Sequence, residues 1–152
     1  MRFVATTLAV SALTFSLSCA RAFAVDERIV DPQAMAALML KADQALPRDQ
    51  CFLYAELVHQ MTELAGQQIS AGDEGQASAT LRLVQKYAEK IHMGVAEDGK
   101  KMKNAEQLMR HTSYRLNDIL NAASYDDRQA LQATLKQLEQ VQTELMMQVF
   151  KK

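Results

Sequence analysis

Two Glu-x-x-His motifs, one at Glu56 and His59 and one at Glu89 and His92, carry the residue types that helical di-metal proteins use. Residues three apart in a helix are neighbours on its surface, so the carboxylate and the imidazole of each motif could share a metal ion. A turn at residues 72–75 would bring both motifs to similar heights on an antiparallel helix pair. The candidate metal site therefore consists of these four side chains.

The helical phase of these residues argues against the site. At about 100° per residue, Glu56, His59 and Glu89 lie roughly 145–155° from the centres of the apolar faces, and His92 lies roughly 90° away. Such positions face solvent or flank the core, and the preceding helix offers only Asp43 as a further carboxylate. Surface residues that form local helix pairs are the favoured interpretation, so we assign no metal ligand and no cofactor.

Methionine with histidine could also bind copper or haem. Most of the methionines after residue 24 fall on apolar helix faces, however, where they are expected to fill the core. No Cys-x-x-Cys-His sequence is present, which excludes covalent c-type haem attachment. The sequence also lacks the nucleophile-elbow, zinc-protease, Walker and dinucleotide-binding motifs, so we expect a non-catalytic protein and identify no small-molecule substrate.

The first 24 residues are typical of a secretory signal peptide. Arg2 supplies a positive charge, residues 4–17 form an apolar run, and Ala22-Phe23-Ala24 is a small-x-small cleavage site. We therefore expect an exported protein, periplasmic or secreted, that is cleaved near Ala24. Lipoprotein processing at Cys19 is the alternative.

The chain after cleavage has the size and charge of one soluble domain. Cleavage removes Arg2 and Arg21 from 17 basic residues and none of the 18 acidic residues, so the net charge becomes about −3. This charge argues against nucleic-acid binding, and no membrane span is expected. We predict a flexible leader over residues 25–30 and a single helical domain over residues 31–152.

Caps and apolar spacing predict an all-α fold. Asp31 and Pro32 open a first helix over residues 32–45, a second helix covers residues 49–71, and Ser124 begins a last helix over residues 125–150. The last helix carries six glutamines, so its outer face is polar but weakly charged. Such a face can be plain surface or can accept another helix.

The segment between these helices keeps a heptad repeat in phase over about 47 residues, which predicts one long helix over residues 75–123. The repeat consists of Ala77, Leu81, Val84, Ala88, Ile91, Val95, Asp98, Met102, Ala105, Met109, Thr112, Leu116, Ile119 and Ala123.

Two arrangements follow from this repeat. In the first, an antiparallel bundle is built on the long central helix, which the helices at 49–71 and 125–150 flank. In the alternative, the chain breaks near Gly99 and forms an up-down-up-down four-helix bundle. The unbroken phase favours the long helix.

A long helix with half-length partners would leave part of its heptad uncovered. We therefore expect an interaction or scaffold protein, self-associating or chaperone-like, that contacts a protein partner or a second copy. The expected contact residues are Met102, Met109, Leu116, Leu138 and Leu145. Cys51, the one cysteine after the signal peptide, could form an intermolecular disulfide, although a small residue flanking the helix core is the favoured interpretation. The alternative function is a metal- or haem-binding four-helix bundle.

Overall fold

The computed structural model describes residues 30–93 and 99–151. This part of the chain forms helices and no strand, which confirms the all-α prediction. The helices are α1 (Pro32–Gln44), α2 (Pro47–Ala71), α3 (Glu74–Met93), α4 (Gly99–Ala122) and α5 (Tyr125–Phe150). The predicted signal peptide, the alternative at Cys19 and all of the leader except Val30 lie outside the described residues.

Local sequence explains where the helices begin and end. The Asp31 carboxylate accepts a hydrogen bond from the Gln33 amide at 2.9 Å, and Pro32 occupies the first turn of α1, where no amide donor is needed. At the end of α2, Gly72 adopts φ 80°, a left-handed conformation that glycine reaches without a Cβ penalty. Helix α2 begins at Pro47, two residues before the predicted start at Asp49.

Helices α2 to α5 form a four-helix bundle. Helix α2 packs against α3 and α4, and α5 packs against the same two helices, so α2 and α5 occupy opposite corners. Helix α3 runs antiparallel to α2, and α4 runs parallel to it. The side-chain contacts fix these directions, because Arg115 and Lys101 of α4 bind Glu63 and Asp49 of α2 in the same chain order.

The predicted single helix over residues 75–123 is wrong, and the alternative four-helix bundle is the observed arrangement. In one continuous helix, residues 87 and 101 would lie about 21 Å apart along one axis. Instead Tyr87 stacks near Tyr54, and Lys101 binds Asp49, so both lie beside the first turns of α2. Helices α3 and α4 therefore run in opposite directions and are not one continuous helix.

The bundle buries the heptad positions of α3 and α4 within one chain. Among the described members of the repeat, every side chain is buried, from Ala77 in α3 to Ala123 after α4. The five expected contact residues, Met102, Met109, Leu116, Leu138 and Leu145, are buried as well. A partner could reach these five residues only if the bundle opened, so they belong to the core. They were expected to contact a partner because part of the heptad was expected to be uncovered. In the described helices the heptad is covered.

Helix α1 lies against the bundle and is attached to it by polar and apolar contacts. The Tyr54 hydroxyl donates a hydrogen bond to Asp43 at 2.9 Å, and the Lys90 ammonium donates to the same oxygen at 2.8 Å. Met35 and Ala42 are buried against the core. In the part of the chain that the structure describes, no helix is long and apolar enough to cross a lipid bilayer.

Candidate functional site

The Glu-x-x-His motifs do not come together as a metal centre among the described side chains. No three His, Cys, Asp or Glu side chains in that set are close enough to hold a metal ion. His59 is half-buried, and Glu89 is exposed on α3. The side chain of His92 lies outside the described residues.

His59 meets a different histidine, His111 of α4. The centroids of the two imidazole rings are 5.4 Å apart, with the ring planes at 66°. The pair was not predicted from the sequence, because the metal-site hypothesis considered only the contact of α2 with α3 and not its contact with α4. Only the parallel contact between α2 and α4 brings residues 59 and 111 to the same height.

A hydrogen-bond chain fixes the orientation of the His59 ring. The Thr112 hydroxyl donates its proton to the Leu108 carbonyl at 2.8 Å. That hydroxyl lies 3.1 Å from His59 Nδ1 and must act as an acceptor there, since its only proton is already used. The neutral imidazole therefore carries its proton on Nδ1 and has a free lone pair on Nε2. Burial lowers the pKa of His59, which favours this neutral form.

The two histidines line a cleft of about 1040 Å³ between α2 and α4, at the end of the bundle that holds the two tight turns. Its apolar lining includes Ile69 and Ile119. The charged lining consists of Glu63, Glu74, Arg115, Asp118 and Asp127. Carboxylates outnumber the single arginine four to one in this set, so the cleft favours cations over anions.

An ion pair closes one side of the cleft. Arg115 Nε lies 3.0 Å from each oxygen of the Glu63 carboxylate. The guanidinium is thus held by α2 and does not extend into the cleft as an isolated positive charge. Because Glu63 follows His59 by one helical turn and Arg115 follows His111 by one turn, the same parallel contact aligns both pairs.

Cys51 is buried, with 1% of its surface exposed. Burial raises the pKa of its thiol to about 11, because the thiolate would lose its hydration. An intermolecular disulfide needs an accessible sulfur, and the folded chain does not expose Cys51 for one. Cys51 instead acts as a small apolar side chain in the core.

The outer face of α5 forms a second candidate site. Positions spaced alternately by four and three residues run along the solvent side of this helix, and all of them are exposed. We name this set the outer seam: Gln129, Ala133, Lys136, Gln140, Thr143, Met147 and Phe150. It carries one charge, and its last two members expose large apolar side chains, 58% for Met147 and 75% for Phe150.

No family model, no curated protein and no solved structure matches this chain.

Proposed function

We propose that this chain is an exported, non-catalytic helical interaction protein that forms a symmetric homodimer through the outer seam of α5. The observation that supports this proposal most strongly is the composition of the outer seam. A solvent-facing helix surface normally carries many charges, whereas surfaces that bind protein are depleted in Lys and Glu and enriched in Met and aromatic residues. The outer seam follows the second pattern.

The spacing of the outer seam suits pairing with another helix. Alternating steps of four and three residues keep a stripe on one side of a helix over several turns, as in coiled coils. From residue 129 to residue 150 the stripe is about 33 Å long. This length gives a second helix enough surface for a continuous contact.

The residue order favours a second copy, in antiparallel orientation, as the occupant. With a two-fold axis near Gln140, Met147 of one copy packs on Ala133 of the other, so a large side chain meets a small one. Lys136 of one copy then comes beside Glu144 of the other, a pairing of opposite charges. Because the contact is isologous, each of these interactions occurs twice.

Because the core is already buried, a partner is expected to bind the surface of the bundle without opening it. The apolar faces of α2 to α5 are already buried within one chain, so a partner could contact them only if the bundle unfolded, which costs free energy. The exposed apolar side chains of α5 are different, since Met146, Met147 and Phe150 are neighbours on the last two turns. Burying them removes apolar surface from water at no cost to the fold.

Sedimentation equilibrium over a concentration series tests the proposal. The wild-type protein is expected to sediment as a dimer, and Met147→Glu as a monomer, because the substitution places two charges in an apolar contact. Leu40→Glu is the matched control, since Leu40 of α1 is 59% exposed, against 58% for Met147, and lies off the outer seam.

The outcomes are distinct. A wild-type dimer that Met147→Glu dissociates and Leu40→Glu preserves supports the proposal. A monomeric wild type at all concentrations overturns it, and so does a dimer that only Leu40→Glu dissociates.

A further inference from the structure

The spacing of His59 and His111 matches that of two imidazoles bound to one metal ion. With a metal–nitrogen distance of about 2.0–2.1 Å, the ring centroid of a ligating histidine lies about 3.2 Å from the ion. Two such rings at a tetrahedral angle have centroids about 5.2 Å apart. The observed separation is 5.4 Å.

The hydrogen bonds of His59 also suit a metal ligand. Histidines that bind metals usually donate their second ring N–H to a fixed acceptor, which sets the tautomer and the ring orientation. Thr112 provides this acceptor, and its own hydroxyl is held by the Leu108 carbonyl. The lone pair of Nε2 is then available to a metal ion, and His59 is one of the residues that line the cleft.

The electrostatics of the cleft favour a divalent cation. Glu74, Asp118 and Asp127 line it with negative charge, and the Arg115 guanidinium is bound to Glu63. Two imidazoles among carboxylates form a ligand environment of intermediate softness, which suits Zn²⁺ and its neighbours better than Mg²⁺ or Ca²⁺.

We propose that His59 and His111 bind one divalent transition-metal ion of the Zn²⁺ class in the cleft between α2 and α4. The two imidazoles supply the protein ligands, and water completes the coordination. Thr112 acts as a positioning residue, since it orients His59 and does not contact the ion. The site uses neither Glu56 nor Glu89, and it does not depend on dimerisation through α5.

Isothermal titration of the purified full chain with Zn²⁺ tests the site. The chain has three histidines, so His92→Asn is the matched control for His111→Asn. We expect one ion per chain in the wild type, an affinity at least about tenfold lower in His111→Asn, and no change in His92→Asn. Met147→Glu should bind Zn²⁺ as the wild type does, which separates this site from the proposed dimer.

Thr112 provides a second readout. Thr112→Val removes the acceptor for Nδ1 and is expected to weaken Zn²⁺ binding about tenfold, whereas Thr112→Ser restores the hydroxyl and the affinity. Nitrogen-detected NMR of the imidazoles should show His59 protonated on Nδ1 in the free protein, and its Nε2 resonance should shift on addition of Zn²⁺. A wild type that binds no Zn²⁺ overturns the proposal, as does equal binding by the wild type and His111→Asn.

Discussion

Ile119 occupies the space that a side chain at position 66 would need. A Cβ built on Gly66 would lie 2.8 Å from Ile119 Cδ1 and 3.2 Å from its Cγ1. The missing side chain therefore lets α2 and α4 approach each other where both residues line the cleft. This contact helps to hold the parallel pair on which the alignment of His59 with His111 depends.

We expect Gly66→Ala to lower the free energy of unfolding by about 1 kcal/mol. Overpacking against Ile119 costs about 1–3 kcal/mol, which outweighs the gain of about 1 kcal/mol in helix propensity. In an Ile119→Val background, which lacks Cδ1 but keeps Cγ1, the same substitution should be less destabilising. Urea denaturation of the four proteins of this double-mutant cycle measures the coupling, and additive effects within about 0.3 kcal/mol would contradict the close contact.

Cys51 should resist thiol reagents in the folded protein. Its thiol is buried, and a pKa of about 11 leaves a very small thiolate fraction at pH 8. In a Cys19→Ser background we expect labelling by an aromatic disulfide reagent to be slow in buffer and immediate in concentrated urea, where the core is open. Rapid labelling in buffer, or a disulfide-linked dimer on a non-reducing gel, would show that the sulfur is accessible.

Asp43 should make the free energy of unfolding decrease at acidic pH. Hydrogen bonds from Lys90 and Tyr54 hold the pKa of this carboxyl below its usual value, so folding favours the carboxylate. The stabilisation is therefore present above about pH 4, the unfolded value, and is lost as the pH falls through the lower folded pKa.

Asp43→Asn should remove this contribution. We expect it to lower stability at pH 7 by up to about 1 kcal/mol, a typical range for an ion pair that is partly exposed. The difference between the wild type and the variant should shrink as the pH falls below 4. Thermal unfolding at pH 7, 4 and 2.5 measures it, and a difference that stays constant over this range would exclude the proposed titration.

The sequence predicted the core well because burial follows helical periodicity. Met109 and Leu116 were expected on the apolar face of a helix but as contacts for a partner, and both are fully buried within the chain. Their partners were less predictable. A heptad phase that continues from Ile91 to Met102 is compatible with one helix, but it is equally compatible with two helices that each turn an apolar face to the same core.

The cleft could not be predicted for a related reason. The sequence determines which face of α2 is apolar, but it does not determine whether α3 or α4 lies next to His59. That choice depends on packing at particular positions, of which Gly66 against Ile119 is one. A glycine inside an otherwise regular helix was the available signal for a close helix contact, since it costs about 1 kcal/mol relative to alanine.

A disulfide cross-link at the proposed two-fold axis tests the dimer most directly. In the antiparallel pairing, residue 140 faces residue 140 of the second copy, whereas the two copies of residue 133 lie about 20 Å apart along the helix. Both positions are exposed on α5 and native Cys51 is buried, so in a Cys19→Ser background an introduced cysteine reports on this surface alone. We expect mild oxidation to link Gln140→Cys into a covalent dimer and to leave Ala133→Cys unlinked. If Gln140→Cys stays monomeric, or if Ala133→Cys links equally well, the proposed antiparallel contact through α5 is contradicted.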